Sequence, residues 1–145
     1  METEAKKETE SVITRGEEIE RTRKFFEGDR FAVENGAVIA TAAVYVGHEA
    51  TYDRICGGSW RTDASVYGII HRIAVAPQAK NKGAASRFMD YCADLARAAG
   101  VPSLRCDTHA DNAIMQHTLE KNGYVRCGTI YLADGAPRIG YERVL

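Results

Sequence analysis

The chain reads as one α+β domain in which helices flank a mixed, mostly antiparallel β-sheet. Three observations carry that reading. Two strand pairs bracket the chain, each closed by a tight turn, Asn35-Gly36 in front and Asp134-Gly135 behind. Between them the apolar residues change from continuous runs to helical spacing and back, in the order strand, helix, strand, helix. A helical crossover joins the two inner strands, which makes them parallel to each other.

The elements follow in order. Residues 1–9 are charged and poor in apolar side chains, which predicts a solvated tail over 1–10 and a single domain over 11–145. Residues 11–14 suit a short strand. Residues 17–27 place Ile19, Thr22, Arg23 and Phe26 on one helical stripe, closed by Gly28. Residues 31–34 and 37–45 form the first hairpin. Residues 46–65 are long and irregular, with Gly57-Gly58 and the only tryptophan, Trp60. Loops of this length in a compact domain are usually functional or mobile, and Trp60 reads as cover for the core edge.

Residues 67–75 are apolar on both faces apart from His71 and Arg72, as in a central strand buried on both sides. Pro77 ends the strand. From Gly83 onward Ala85, Phe88, Met89, Cys92, Leu95 and Ala96 recur at helical spacing, and Gly100 stops the helix. Between strand and helix, QAKNKGAA lets backbone N–H groups approach a ligand at the positive end of a helix dipole, with Lys80 and Lys82 beside it. Asn81 tolerates a positive φ, so a nest of amides is compatible with the segment. It is an anion-site candidate, the alternative being a charged strand-to-helix loop. It matches neither G-x-x-x-x-G-K-[ST] nor G-x-G-x-x-G.

Residues 103–107 form the parallel partner strand. Ligands in open α/β sheets bind beyond the carboxyl ends of such strands, so His109, Asp111 and Asn112 should face the same crevice as the lysine loop. Asp111 or Asn112 caps a helix that runs through Glu120 and ends at Asn122-Gly123. Residues 124–131 and 138–144 form the closing hairpin.

Composition excludes several functions. Of 145 residues, 19 are Lys or Arg and 20 Asp or Glu, giving a net charge of −1 with no basic field to attract nucleic acid or an anionic membrane. No apolar stretch has the length of a membrane span and no leader is visible, so the cytoplasm is the expected compartment. Cys56, Cys92, Cys106 and Cys127 stand at wide spacings and read as small buried hydrophobes. The pair Cys106 and His109 lacks a second pair, so no metal is expected.

The segment IAVAPQAKNKGAASRFMDYCADLA resembles the acyl-CoA-binding segment of the GNAT superfamily of N-acetyltransferases, whose pattern is [RQ]-x-x-G-x-[GA]. Lys80 stands at the Arg/Gln position, Gly83 at the middle Gly and Ala85 at the last small residue. Val75-x-Pro77 before it, and DTHADNAIMQHTLEKNGYVRCG after it with the ending K-x-G-[FY], extend the resemblance over residues 30–145.

The resemblance implies a sheet whose central parallel pair splays around acetyl-CoA as co-substrate. Ile73, Ala74 and Val75 would hold the pantetheine arm. Lys80, Asn81, Lys82, Gly83, Ala84, Ala85 and Ser86 would hold the pyrophosphate, and Asn112 the pantetheine or adenosine portion. An amine would attack the thioester directly. The family's front is longer, which leaves the acceptor class open. Where many relatives carry an acid tyrosine this chain has Leu119, so Tyr124 and Tyr131 are the remaining acid candidates. His71 is the leading base candidate, because imidazole titrates near neutrality and regular alternation puts it on the strand face of Ile69, Ile73 and Val75, against a structural histidine as the alternative. His109 is the runner-up. Arg72 is expected to pair with a carboxylate such as Asp107. The implied activity is acetyl transfer to a primary amine of a small molecule, amino acid or protein. A non-catalytic CoA-binding module and a ligand-free dimerisation domain are the alternatives. Strands at the sheet edges suggest a homodimer.

Overall fold

The structure, a computed structural model, describes residues 28–34, 37–76 and 83–145. The expected tail over 1–10, the segments 11–14 and 17–27, the Asn35-Gly36 turn, Pro77, and Lys80, Asn81 and Lys82 lie outside those residues. Six strands form one sheet: β1 (Gly28–Glu34), β2 (Ala37–Gly47), β3 (Tyr67–Val75), β4 (Ser103–Thr108), β5 (Val125–Tyr131) and β6 (Pro137–Val144). Their spatial order is β1-β2-β3-β4-β6-β5. Among the described strands only β3 and β4 are parallel, as the helical crossover between them requires. That crossover is α1 (Ala84–Ala98), and α2 (Ala113–Lys121) joins β4 to β5. Gly28, expected to close a helix, opens β1 opposite Val44 instead, because its backbone is drawn into the hairpin ladder.

The helices cover one face of the sheet. The stripe read from α1 is buried as its spacing requires: Phe88, Met89, Cys92, Leu95 and Ala96 pack with Val44, Ile70, Leu104 and Tyr141 from the strands and Leu119 from α2. Each such side chain contributes about 1.5–3 kcal/mol by leaving water.

The other face is covered by the long segment between β2 and β3. Tyr52, at the end of a 3₁₀ turn (Ala50–Tyr52), is buried with Tyr67, Ile69 and Ile130, and Ile55 and Trp60 pack against them. Trp60 does cover the core edge, and its Nε1–H donates to the Tyr52 carbonyl at 2.8 Å. Cys56 exchanges two backbone hydrogen bonds with Thr129 of the edge strand β5.

A charged network fastens this cover. The Arg105 guanidinium lies 4.1 Å from the Tyr67 ring centre and 4.5 Å from that of Trp60, and its Nε donates to Glu142 Oε2 at 3.1 Å. Glu142, fully buried, also accepts from Ser103 Oγ, Thr62 Oγ1 and the Arg61 amide. Burial pushes the Glu142 carboxyl up. The hydrogen bonds from Ser103, Thr62, Arg105 and the Arg61 amide outweigh burial and hold it below its ordinary value. Among the described residues no helix is long and apolar enough to cross a membrane, and no cluster of His, Cys, Asp or Glu suits a metal ion.

Candidate active site

The ladder between β3 and β4 has two residue pairs, Gly68 with Leu104 and Ile69 with Arg105. Gly68 permits that approach, since a Cβ there would stand 2.5 Å from Leu104 Cδ2. Past Ile69 and Arg105 the ladder ends, and among the described residues Ile73, Ala74 and Val75 have no ladder partner on that side. Below the gap lies a cleft of about 670 Å³, lined by Ile73, Ala74 and Val75 of β3, Gly83, Ala85 and Ser86 at the start of α1, and Asn112. The structure thus brings together seven residues that the sequence singled out. Ala84 is the first residue of α1, directly after Gly83.

The two helix starts differ. At α1, Gly83 holds φ at +73°, a left-handed conformation, and no side chain among the described residues caps the helix. Its first amides have no acceptor from a cap, and an anion in the cleft would meet them. At α2, Asn112 Oδ1 accepts from the Met115 amide at 3.0 Å, which settles the choice between Asp111 and Asn112 as the cap. Sequence reading missed that α2 turns Ile114, His117, Thr118 and Lys121 toward the cleft. Their i, i+3, i+4, i+7 spacing was the available signal.

On β3 the two-residue alternation breaks at Arg72. Ala43 faces His71 and Thr41 faces Ala74, so Ala42 alone opposes both Arg72 and Ile73. This is a β-bulge, and Arg72 takes φ +57°, which costs about 1–3 kcal/mol for a residue with a Cβ. The extra residue inverts the parity of the strand. Ile69 and His71 belong to the loop-covered face, whereas Ile73 and Val75 pack against the helix-covered core. The expectation of an unbroken alternation, with His71 on the face of Ile73 and Val75, is therefore corrected.

His71 lines a second cleft, of about 410 Å³, with Tyr45, His48, Glu49 and Ile69. Its Nε2 stands 3.3 Å from Glu49 Oε1. His48 lies between two acceptors, the Ser65 carbonyl at 2.9 Å from Nδ1 and Asp53 Oδ1 at 2.7 Å from Nε2. Its pKa is raised, chiefly by the hydrogen bond to Ser65; desolvation opposes the rise and the Asp53 charge adds to it. The two clefts lie on opposite faces of the sheet, and β3 lines both, the first with Ile73, Ala74 and Val75 and the second with Ile69 and His71.

The remaining candidates lie apart from these linings. His109 is exposed, and its Nδ1 accepts from the Asp111 amide at 3.0 Å, which occupies the lone pair a base would use. Tyr124 is enclosed in the helix-covered core, its hydroxyl without a partner among the described residues, and burial pushes its phenol well above the ordinary value. Tyr131 is exposed on β5. Leu119 is fully buried. Asp107 accepts from Tyr52 Oη at 2.7 Å, while Arg72 is exposed on the bulge. Burial first, and the Asp107 charge next, raise the Tyr52 phenol well above its ordinary value. Burial also pushes the Cys92 thiol up to about 12, in keeping with a core residue.

A mixed sheet opened at its one parallel pair, with an uncapped helix start at the opening, defines the GNAT fold. The sequence model described as the acetyltransferase (GNAT) family matches residues 2–124, and the chain belongs to that family. The match begins well before the residues 30–145 over which the motifs carry the likeness. A GNAT-family acetyltransferase from Streptococcus agalactiae is 30% identical and superposes with a TM-score of 0.71, over 99% of this chain and 83% of that one. The aminoglycoside acetyltransferase AAC(6')-Ib, solved with ribostamycin and coenzyme A, is 21% identical with a TM-score of 0.59, over 80% of this chain and 63% of that one. YncA of Salmonella typhimurium, solved with acetyl-CoA, is 16% identical with a TM-score of 0.55, over 87% of this chain and 69% of that one. The last two likenesses concern the fold alone. Compared with curated proteins by sequence, the chain has no match. Family membership places the protein among the acetyltransferases.

Proposed function

We propose that the protein acetylates a primary amine by direct attack on the thioester of acetyl-CoA, with His71 as the base. The observation that carries this reading is the parting of β3 and β4 past Ile69 and Arg105, beside the cleft at the start of α1, with His71 on the same strand. The unpaired main chain of Ile73, Ala74 and Val75 suits the amide-bearing pantetheine arm, which can add to it as a strand would. Gly83, Ala84, Ala85 and Ser86, with Lys80, Asn81 and Lys82 before them, hold the pyrophosphate at the uncapped start of α1. Asn112 contacts the cofactor from the opposite wall.

The amine enters from the other face, where His71 removes a proton from the ammonium. The nitrogen lone pair then forms the N–C bond, the C–S bond breaks with its electrons on sulfur, and the thiolate takes the second nitrogen proton. A thiol of ordinary pKa, about 8.5, leaves readily as thiolate, so the reaction needs no buried acid. Tyr124 has no route to the sulfur from its place in the core.

Leu119, buried at the position where many relatives carry the acid tyrosine, favours a second reading as a CoA-binding module without turnover. Calorimetric titration with acetyl-CoA, alongside a thiol-release assay over an amine panel, separates the two. Binding with release on at least one amine is expected, and binding with none supports the module. His71→Gln should lower kcat/KM by about 100- to 10,000-fold and leave acetyl-CoA affinity unchanged. A homodimer through the edge strands belongs to the same reading, and sedimentation equilibrium tests it.

A further inference from the structure

We propose that Glu49 is a positioning residue, holding the His71 imidazole in the one tautomer that can accept the amine proton. The inference rests on the reading of His71 as base. Glu49 lies two residues beyond β2, in a segment with no strand ladder to hold it, yet it is fixed at three points. Its amide donates to the hydroxyl of buried Tyr67 at 3.0 Å, and that hydroxyl lies 3.4 Å from the Glu49 carbonyl as donor in return. Thr51 Oγ1 donates to Oε2 at 3.1 Å. With Oε2 engaged, Oε1 is the oxygen presented to His71 Nε2 at 3.3 Å.

A carboxylate only accepts, so the hydrogen between the two groups sits on Nε2. The neutral ring then carries its lone pair on Nδ1, the nitrogen away from Glu49. When Nδ1 takes a proton from the substrate ammonium, the imidazolium is stabilised by the adjacent carboxylate. The 3.3 Å separation is long for a charged pair, and such contacts commonly tighten when substrate binds.

The surroundings leave Glu49 as the partner that orients the ring. From β2, Tyr45 presents its ring 6.0 Å from the imidazole, centre to centre. From the covering segment, His48 lines the same cleft but is committed to Asp53 and Ser65. From β3 itself, Tyr67 is committed to the Glu49 main chain, and Arg72 turns out through the bulge. Glu49 keeps 27% of its side chain exposed and His71 37%, enough for an acceptor to reach Nδ1.

Glu49→Gln tests the proposal, because the amide keeps the shape and one acceptor oxygen while losing the charge. With acetyl-CoA and an amine from the panel, kcat/KM should fall by about 10- to 100-fold, less than on removing His71. KM for acetyl-CoA should stay unchanged. The acidic limb of the pH–rate profile should move to lower pH, since a neutral amide no longer favours the imidazolium. A merely structural role would leave that limb in place. Independently of turnover, ¹⁵N spectra of the imidazole should show the Nε2–H tautomer in the native protein, and a ring that titrates at lower pH in Glu49→Gln. An Nδ1–H tautomer, or a titration indifferent to Glu49→Gln, overturns the proposal. So does a Glu49→Gln loss as deep as that of His71→Gln with the limb abolished, which would make Glu49 itself the base. Should His71→Gln leave the rate intact, the base reading fails, and the spectra still decide whether Glu49 sets the tautomer.

Discussion

The two faces of the sheet are built by different means. On the helix-covered face the core is apolar, and the cleft runs from the end of β3 and the start of α1, at Ile73, Ala74, Val75, Gly83 and Ala85, to the side chains of α2, at Ile114, His117, Thr118 and Lys121. On the loop-covered face a buried ion pair and two aromatic rings hold an irregular segment down, and the cleft is lined by side chains, at Tyr45, His48, Glu49 and His71. Backbone amides and carbonyls are the same in every residue, so a main-chain site tolerates varied side chains and suits a constant ligand. A side-chain site changes with every substitution. On the proposed reading the first cleft serves the acyl donor and the second the acceptor.

The largest break in this comparison should come from the ion pair. Arg105→Ala leaves the Glu142 carboxylate buried without its cation, and urea unfolding should show a loss of about 3–5 kcal/mol. The folded fraction should keep its acetyl-CoA affinity, because the other face is untouched. Acid should act in the same direction. The Glu142 carboxyl titrates below its ordinary value of 4.5, so its stabilisation is complete above about 4.5 and is lost as pH falls through the lower folded value. Native protein should therefore lose stability below that pH more steeply than Glu142→Gln, and equal slopes would mean that other carboxylates dominate.

A smaller break should come at the start of α1. A Cβ at Gly83 meets nothing among the described residues closer than Arg87 Nη1 at 3.7 Å, but in Gly83→Val the φ of +73° strains a β-branched residue by about 1–2 kcal/mol. Calorimetry should show acetyl-CoA binding weakened about tenfold, a further 1.4 kcal/mol. Unchanged affinity would place the anion site elsewhere. The smallest effect should come from Asn112→Ala, which removes the cap of α2 and costs about 1 kcal/mol in thermal unfolding. Acetyl-CoA affinity measured on the same variant sharpens the comparison: a loss beyond the stability effect would show that Asn112 also contacts the ligand.

Much of the helix-covered face was legible. The stripe from Ala85 to Ala96 and the small residues around Gly83 are local patterns, and the crossover rule carried them to a parallel pair of strands. The bulge was not. Nothing in His71-Arg72-Ile73 announces that one residue will be extra, because a bulge is decided by the partner strand, here by Thr41 and Ala43. Reading the strand as regular put His71 on the face of Ile73 and Val75. Glu49 was missed for a related reason: it lies 22 residues from His71, in a segment without periodicity.

By itself, then, the sequence determined the order and type of the strands and helices among the described residues and the Asp134-Gly135 turn, because helical spacing, strand runs and glycine positions act over a few residues. Only the tertiary structure decided which side chains meet. Thr62 bonds to Glu142 across 80 residues, Tyr52 to Asp107 across 55 and His71 to Glu49 across 22. Such pairs form where the covering segment settles on the sheet, a choice made by the burial of Tyr52, Trp60 and Tyr67 together and by no local propensity of the residues that end up in contact.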